Sequence, residues 1–387
     1  MRELLEAWEG VEAVDHHCHP LWRFTRPVAA IDLRTVFTEA LDPAMAAEHV
    51  PSTAAYRDAL RRIGAALDCE PTEEAILETR AARDPAAHAQ DLLRRSGTGV
   101  MLLDHGYASG DNFSIAEHAE AIRLPQREIV RLEALAERML SGARSVDEWV
   151  AAVRSALRDS AGAGAAGVKT IAAYRAGLRL RRHAQEEVES DFASLRFKAL
   201  YQQRAGRGEK VRLSGAPLVH ALLFEAALEC RDLGLPLQVH CGLGDPDEDL
   251  AEASPLGLRP LLVDPRYEGL RIVLLHCYPF HREAAYLCAV FPGVFMDLSL
   301  TIPLAGLDGQ RAMREALGLL PWSKLLYASD ASRLPEYFLV AAAVHREALA
   351  AAFQELVERR VLTRDEAIDA GSRVLAGNAR ELYRLSG

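Results

Sequence analysis

The chain has 387 residues, half of them apolar and 6% aromatic, with 45 basic against 55 acidic side chains and a formal net charge of -10. That is long for one compact domain and short for two ordinary enzymatic ones, with apolar residues enough for a large core. The acidic balance excludes binding along a phosphate backbone, which needs concentrated Lys and Arg to displace counterions. The opening MRELLEAWEG is charged and amphipathic, without the apolar run of a signal peptide. No stretch reaches the ~18 uninterrupted apolar residues of a membrane span. Six cysteines without a CxxC pair suggest neither a disulfide framework nor a zinc knuckle, so a reducing cytoplasm is the expected compartment.

A short apolar run, a polar residue at its end and a helical stretch recur along the chain. The runs are Val11–His17, Gly99–Asp104, Glu128–Leu132, Gly167–Ala172, Leu235–His240, Leu270–His276, Gly293–Leu298 and Leu325–Asp330. Most are rich in Val, Ile and Leu, as strands buried on both faces should be. Helical candidates between them include Ser145–Asp159, Pro217–Leu233, Arg282–Phe291 and Pro335–Arg359. Eight alternations predict an α/β fold, a (β/α)8 TIM barrel formed as a single domain over 1–387. The segment 20–98, punctuated by Pro43, Pro51, Pro71 and Pro85, reads as a helical insertion after strand 1, on the catalytic rim. The basic run Arg179, Arg181, Arg182, His183, followed by Glu186, Glu187 and Glu189, reads as a solvated helix of mixed charge. The stretch Gln202–Lys210 reads as polar connection, and Asn378 as the N-cap of the last short helix.

Strand 1 ends Asp15-His16-His17-Cys18-His19, and residues at i and i+2 face the same side. His17 and His19 can therefore grip one cation, with His16 facing outward. His240, His276 and Asp330 end the fifth, sixth and eighth runs, at the strand ends where barrel enzymes place their chemistry. Each alone has an ordinary structural reading; jointly they predict a metal site. Cys18, Cys241 and Cys277 adjoin proposed ligands and should point away from them. Lys169, near the end of the fourth run, has three readings. It is a carbamate bridging two cations, an ammonium paired with a carboxylate beside a single cation, or a structural lysine reaching solvent.

The order HxH, Lys, His, His, Asp resembles the amidohydrolase superfamily of TIM-barrel metal-dependent hydrolases. Within it the wording is similar to the amidohydrolase-related (amidohydrolase 2) branch, which includes the domain fused to glutamine synthetase in some fungi and plants. The segments that carry the resemblance are VDHHCHP (14–20), GVKTIAAYRAGL (167–178), LPLQVHCGLGD (235–245), VLLHCYPFHREAAYL (273–287) and LLYASDASRLPE (325–336). It implies metal ligands at His17, His19, His240 and His276, and at Asp330 a ligand that also moves a proton. The family is less uniform at the lysine.

The expected function is hydrolysis of an amide or related C–N bond by metal-activated water. Asp330 is the proton acceptor; the metal polarises the electrophile, helped by His276 or His240 if only one metal is bound. One or two divalent cations are expected, zinc by default; Mn, Fe, Co or Ni suit the same ligands. Tyr174, Arg175, Tyr278 and Arg282 are candidate substrate-binding residues, Arg suiting a carboxylate on a small molecule. Asp104, His105 and Asp297 read as supporting or helix-capping groups, and Tyr107 and Trp22 as pocket walls. The rival readings are a mononuclear decarboxylase, a phosphoesterase on the same ligands and a non-catalytic binding barrel. Neither nucleic acid nor membrane is an expected partner, and self-association is left open.

Overall fold

The computed structural model describes residues 1–107, 109–205 and 211–385. The Tyr107 side chain and residues 206–210 of the polar stretch lie outside the described residues. The chain begins with α1 (Arg2–Trp8), β1 (Ala13–Cys18), α2 (Ala30–Thr35), α3 (Ala54–Leu67), α4 (Glu73–Ala81), α5 (Pro85–Arg95), β2 (Thr98–Asp104) and α6 (Ile115–Ala121). It continues through β3 (Gln126–Arg131), α7 (Leu132–Met139), α8 (Val146–Gly162), β4 (Gly167–Thr170), α9 (Ala172–Ala176), α10 (Gln185–Arg204) and α11 (Ala216–Leu233). Then come β5 (Leu237–Cys241), α12 (Arg259–Val263), β6 (Ile272–His276), α13 (His281–Val290) and β7 (Val294–Met296). It closes with α14 (Thr301–Leu304), α15 (Leu307–Leu317), α16 (Pro335–Glu358), α17 (Arg364–Ser372) and α18 (Asn378–Leu382).

Seven strands follow one another in the order β1-β2-β3-β4-β5-β6-β7. The registers of β1 with β2, β3 with β4, β4 with β5 and β5 with β6 are all parallel, so the class is α/β. The eighth expected run, Leu325–Asp330, is not a regular strand. It bridges Met296 through Leu325, and against β1 Tyr327 O accepts from His16 N–H and Asp330 N–H donates to His17 O. The left-handed φ of 53° at Asp330 then turns the chain out of extended geometry.

The chain divides into two units, Met1–Arg127 with Met296–Gly387, and Glu128–Phe295. In the first, polar side chains start the helices between β1 and β2. Thr53, Thr72 and Asp84 accept the N–H of Tyr56, Ala75 and Ala87 at the starts of α3, α4 and α5, with Pro85 opening α5. The apolar faces of these helices bury Phe37, Tyr56, Ile63, Leu92, Tyr337 and Phe338 in one core with Met101 and Leu103 of β2. Asn378 is not an N-cap. The chain enters α18 from a preceding helical turn, and the Asn378 amide donates to Trp322 O and Leu325 O, pinning the start of the Leu325–Asp330 segment.

In the second unit Arg154 and Arg158 of α8 grip the buried Glu229 of α11. The basic run expected on a helix lies in irregular chain ahead of α10. Gly177, with φ 77°, stops α9, and the Leu178 and Leu180 N–H groups donate to Glu252 O and Gly257 O. Among the described residues no helix is long and apolar enough to cross a membrane.

Trp8 closes the outer core of the first unit. It is fully buried, donates from Nε1 to Ile368 O and meets the Phe353 ring edge-on. A Cβ at Gly371 of α17 would stand 1.9 Å from its Cζ2. Alanine at a helical glycine ordinarily gains up to ~1 kcal/mol, but here overpacking wins. Gly371→Ala is expected to cost about 1–3 kcal/mol in a urea unfolding curve.

Candidate metal centre

β1 delivers its polar residues in alternation. His17, His19 and Asp330 present ligand atoms that all lie within 4.8 Å of one another. Asp330 Oδ1 is 3.1 Å from His17 Nε2 and 3.3 Å from His19 Nε2. Ligands at the ~2.0–2.1 Å bond lengths of tetrahedral zinc stand ~3.3 Å apart, so the spacing suits a small divalent cation. The donor chemistry, two imidazoles and a carboxylate, suits the same ion. His19 Nδ1 lies 2.8 Å from the Asp104 carbonyl oxygen, which can only accept, so Nδ1 carries the proton and Nε2 keeps its lone pair.

Behind these three lies a second layer. His16 does face away from the cluster, but it is fully buried rather than solvated. Its Nε2 is 2.9 Å from Asp297 Oδ2 and its Nδ1 is 3.2 Å from the Tyr383 hydroxyl. Asp297 also accepts from the Ser299 N–H and hydroxyl, which supports the turn ahead of α14 without capping that helix. Asp15 accepts from the Ser329 N–H at 2.9 Å and hydroxyl at 2.5 Å, which fastens β1 to the segment bearing Asp330. Burial pushes the Asp15 carboxyl up to about 7 despite those bonds. Asp104 accepts from Gly106 N–H, and burial followed by the neighbouring His118 holds His105 down at about 4. Trp22 lies under the Arg26 guanidinium, 3.8 Å from its ring centroid. Cys18 turns its thiol to the Leu102 carbonyl.

In the second unit the His240 and His276 rings lie 4.5 Å apart, centroid to centroid. Register pairs His276 with Cys241 and not with His240, so regular pleating would put the two rings on opposite faces. The left-handed φ of 66° at His276 breaks that alternation. Lys169 is 3% exposed on β4 and in register with Gln238. Gln238 and His240 are two apart, so Lys169 and His240 share a face of the sheet. Cys241 and Cys277 face each other, Sγ to Sγ 3.7 Å.

Tyr174 packs on His240 with ring centroids 4.5 Å apart, while Tyr278 stacks on His281. The Arg175 Nε is buried and meets no acceptor among the described residues. Its nearest carboxylate, Glu137, is 3.9 Å away, and burial and then the Arg212 charge lower its pKa. Arg282 is exposed on the first turn of α13. Sequence reasoning missed Glu248, whose Oε2 lies 3.1 Å from His240 Nε2. The one signal was Gly244 beside it, where a Cβ would strike both Glu248 and Tyr174.

The family model described as Amidohydrolase matches residues 14–385. Protein fluG of Emericella nidulans is 30% identical over 405 residues, covering 96% of this chain and 46% of fluG. The chain thus spans about half the length of that curated relative. Among solved structures, a protein of Lactobacillus casei described as a metal-dependent hydrolase is 30% identical with TM-score 0.88, over 98% of this chain and 97% of that one. The uronate isomerase of Thermotoga maritima, 14% identical with TM-score 0.66 over 98% and 96% of the two chains, shares the fold.

Proposed function

We propose, since the chain belongs to the amidohydrolase family, that it is a metal-dependent hydrolase cutting an amide or related C–N bond of a small carboxylate-bearing substrate. The observation that carries this reading is the convergence of His17, His19 and Asp330 on one point, with Asp330 13% exposed and thus reachable from solvent. Those three would hold one cation, zinc by default. His240 and His276 are proposed ligands for a second, with Lys169 supplying an anionic oxygen ligand as a carbamate. A cation held there would supply Lewis acidity, lowering the pKa of water so that hydroxide is available near neutral pH and polarising the scissile carbonyl.

The protein's own groups do the rest. Asp330 accepts the proton of the attacking water and returns it to the leaving nitrogen. The ring of His276 or His240 steadies the developing charge where it is not bound to a cation. Arg175, a mostly buried guanidinium whose Nε meets no acceptor among the described residues, takes the substrate carboxylate, with Tyr174, Tyr278 and Arg282 lining its approach. The whole chain, 1–387, is proposed as one hydrolase domain, with 20–98 as its helical insertion.

Elemental analysis of protein purified without chelators and with bicarbonate tests the centre. Close to two divalent cations per chain are expected in the wild type, and close to one in Lys169→Ala. About one cation, unchanged in that variant, would give a mononuclear site and reopen decarboxylation. A chain that retains no divalent cation would remove the reading.

A further inference from the structure

Glu248 lies on the connection after β5, and its side chain is 2% exposed. A carboxylate so buried is retained where a counter-charge or strong donor meets it. One oxygen, Oε2, stands 3.1 Å from His240 Nε2. The other, Oε1, is buried and has no hydrogen-bond partner among the described residues. Among the described residues Glu248 therefore caps no helix with its side chain and joins no guanidinium, and its carboxylate meets one imidazole.

The local backbone is shaped for that contact. A Cβ at Gly244 would sit 2.5 Å from Glu248 Oε2 and 2.1 Å from the Tyr174 hydroxyl oxygen, so only glycine leaves the carboxylate where it is. The Tyr174 and His276 rings, each 4.5 Å from the His240 ring, limit how the imidazole can turn.

We propose that Glu248 is a positioning residue that sets the tautomer and orientation of His240. An ionised carboxylate only accepts, so the proton of the neutral imidazole is held on Nε2 and the lone pair is left on Nδ1. His240 then offers Nδ1, and only Nδ1, to a cation. Carboxylates that hold the far nitrogen of a ligand histidine act in this way, and losing one lowers metal affinity by ~10–100-fold. The proposal rests on the reading of His240 as a ligand, and Glu248 acts through that ring rather than on substrate.

Two readouts on the full chain test it. Nitrogen-15 NMR of the metal-free protein, with His240 assigned by its loss in His240→Ala, should show the Nε2–H tautomer. Zn2+ titration against a chromophoric chelator should show one class of zinc weakened ~10–100-fold in Glu248→Ala. Glu248→Gln, whose amide oxygen still accepts, should retain most of that affinity. Gly244→Ala keeps the carboxylate but displaces it, so it should resemble Glu248→Ala and carries the test if that variant does not fold. An Nδ1–H tautomer in the wild type would overturn the proposal. So would wild-type zinc binding in Glu248→Ala alongside zinc loss in His240→Ala. Wild-type zinc binding in His240→Ala would instead overturn the ligand reading beneath it.

Discussion

Asp330→Asn is expected to lower turnover by about 10³-fold or more, the scale of losing a general base together with a metal ligand. The substitution is nearly isosteric, and the backbone tolerates it. Asp330 has φ 53°, a conformation in which Asn and Asp are the favoured non-glycine residues. Its N–H bond to His17 O is also untouched. Folding should survive, which separates this variant from Asp330→Ala, where left-handed strain would add to the chemical loss. The carboxylate now stands 3.1 Å and 3.3 Å from two imidazole nitrogens. An amide there offers a neutral oxygen that is a poor proton acceptor and a weak ligand. The check is kcat beside metal content and melting temperature. Loss of both metal and turnover at unchanged melting temperature is the expected pattern. Full activity would remove Asp330 from the mechanism.

Much of the site was legible because strand chemistry is periodic. The i, i+2 spacing of His17 and His19 places both rings on one face, and the structure brings them together with Asp330. The seven observed strands begin and end within a few residues of the apolar runs, and α8, α11, α13 and α16 nearly coincide with the helical candidates. Periodicity carries no such information where the backbone leaves its regular path. Residue-by-residue alternation puts His276 on the wrong face, and only its left-handed φ accounts for its nearness to His240. The same conformation at Asp330 cuts short the eighth run. Glu248 was invisible for another reason. It stands among Asp245, Asp247, Asp249 and Glu252 in a connection where acidic residues are ordinarily solvated. Burial, which sets it apart from those neighbours, comes from how the loop folds over Gly244.

Glu336→Gln is expected to cost about 3 kcal/mol of stability at pH 7, a large share of a domain's whole margin. Glu336 sits in the first turn of α16, 1% exposed, with Oε1 2.8 Å from His88 Nε2 and in contact with Arg80 Nη1. Burial alone would raise its pKa, but the His88 hydrogen bond and the Arg80 charge outweigh that and hold it at about 2. Removing the charge leaves a mostly buried guanidinium and a fully buried imidazole facing a neutral amide oxygen, a weaker acceptor that no longer balances the Arg80 charge. The pH dependence has a definite sign. A carboxylate whose folded pKa lies below its unfolded value of ~4.3 adds stability above that value, and loses it as pH falls through the folded pKa. Wild type and Glu336→Gln should therefore differ by about 3 kcal/mol at neutral pH, and the gap should shrink as pH drops from ~4.5 toward 2. Urea unfolding across that range measures it. A gap independent of pH would mean that lost packing, not the lost charge, destabilises the variant. A double change, Arg80→Met with Glu336→Leu, should cost less than the sum of the single changes, because it leaves fewer stranded charges.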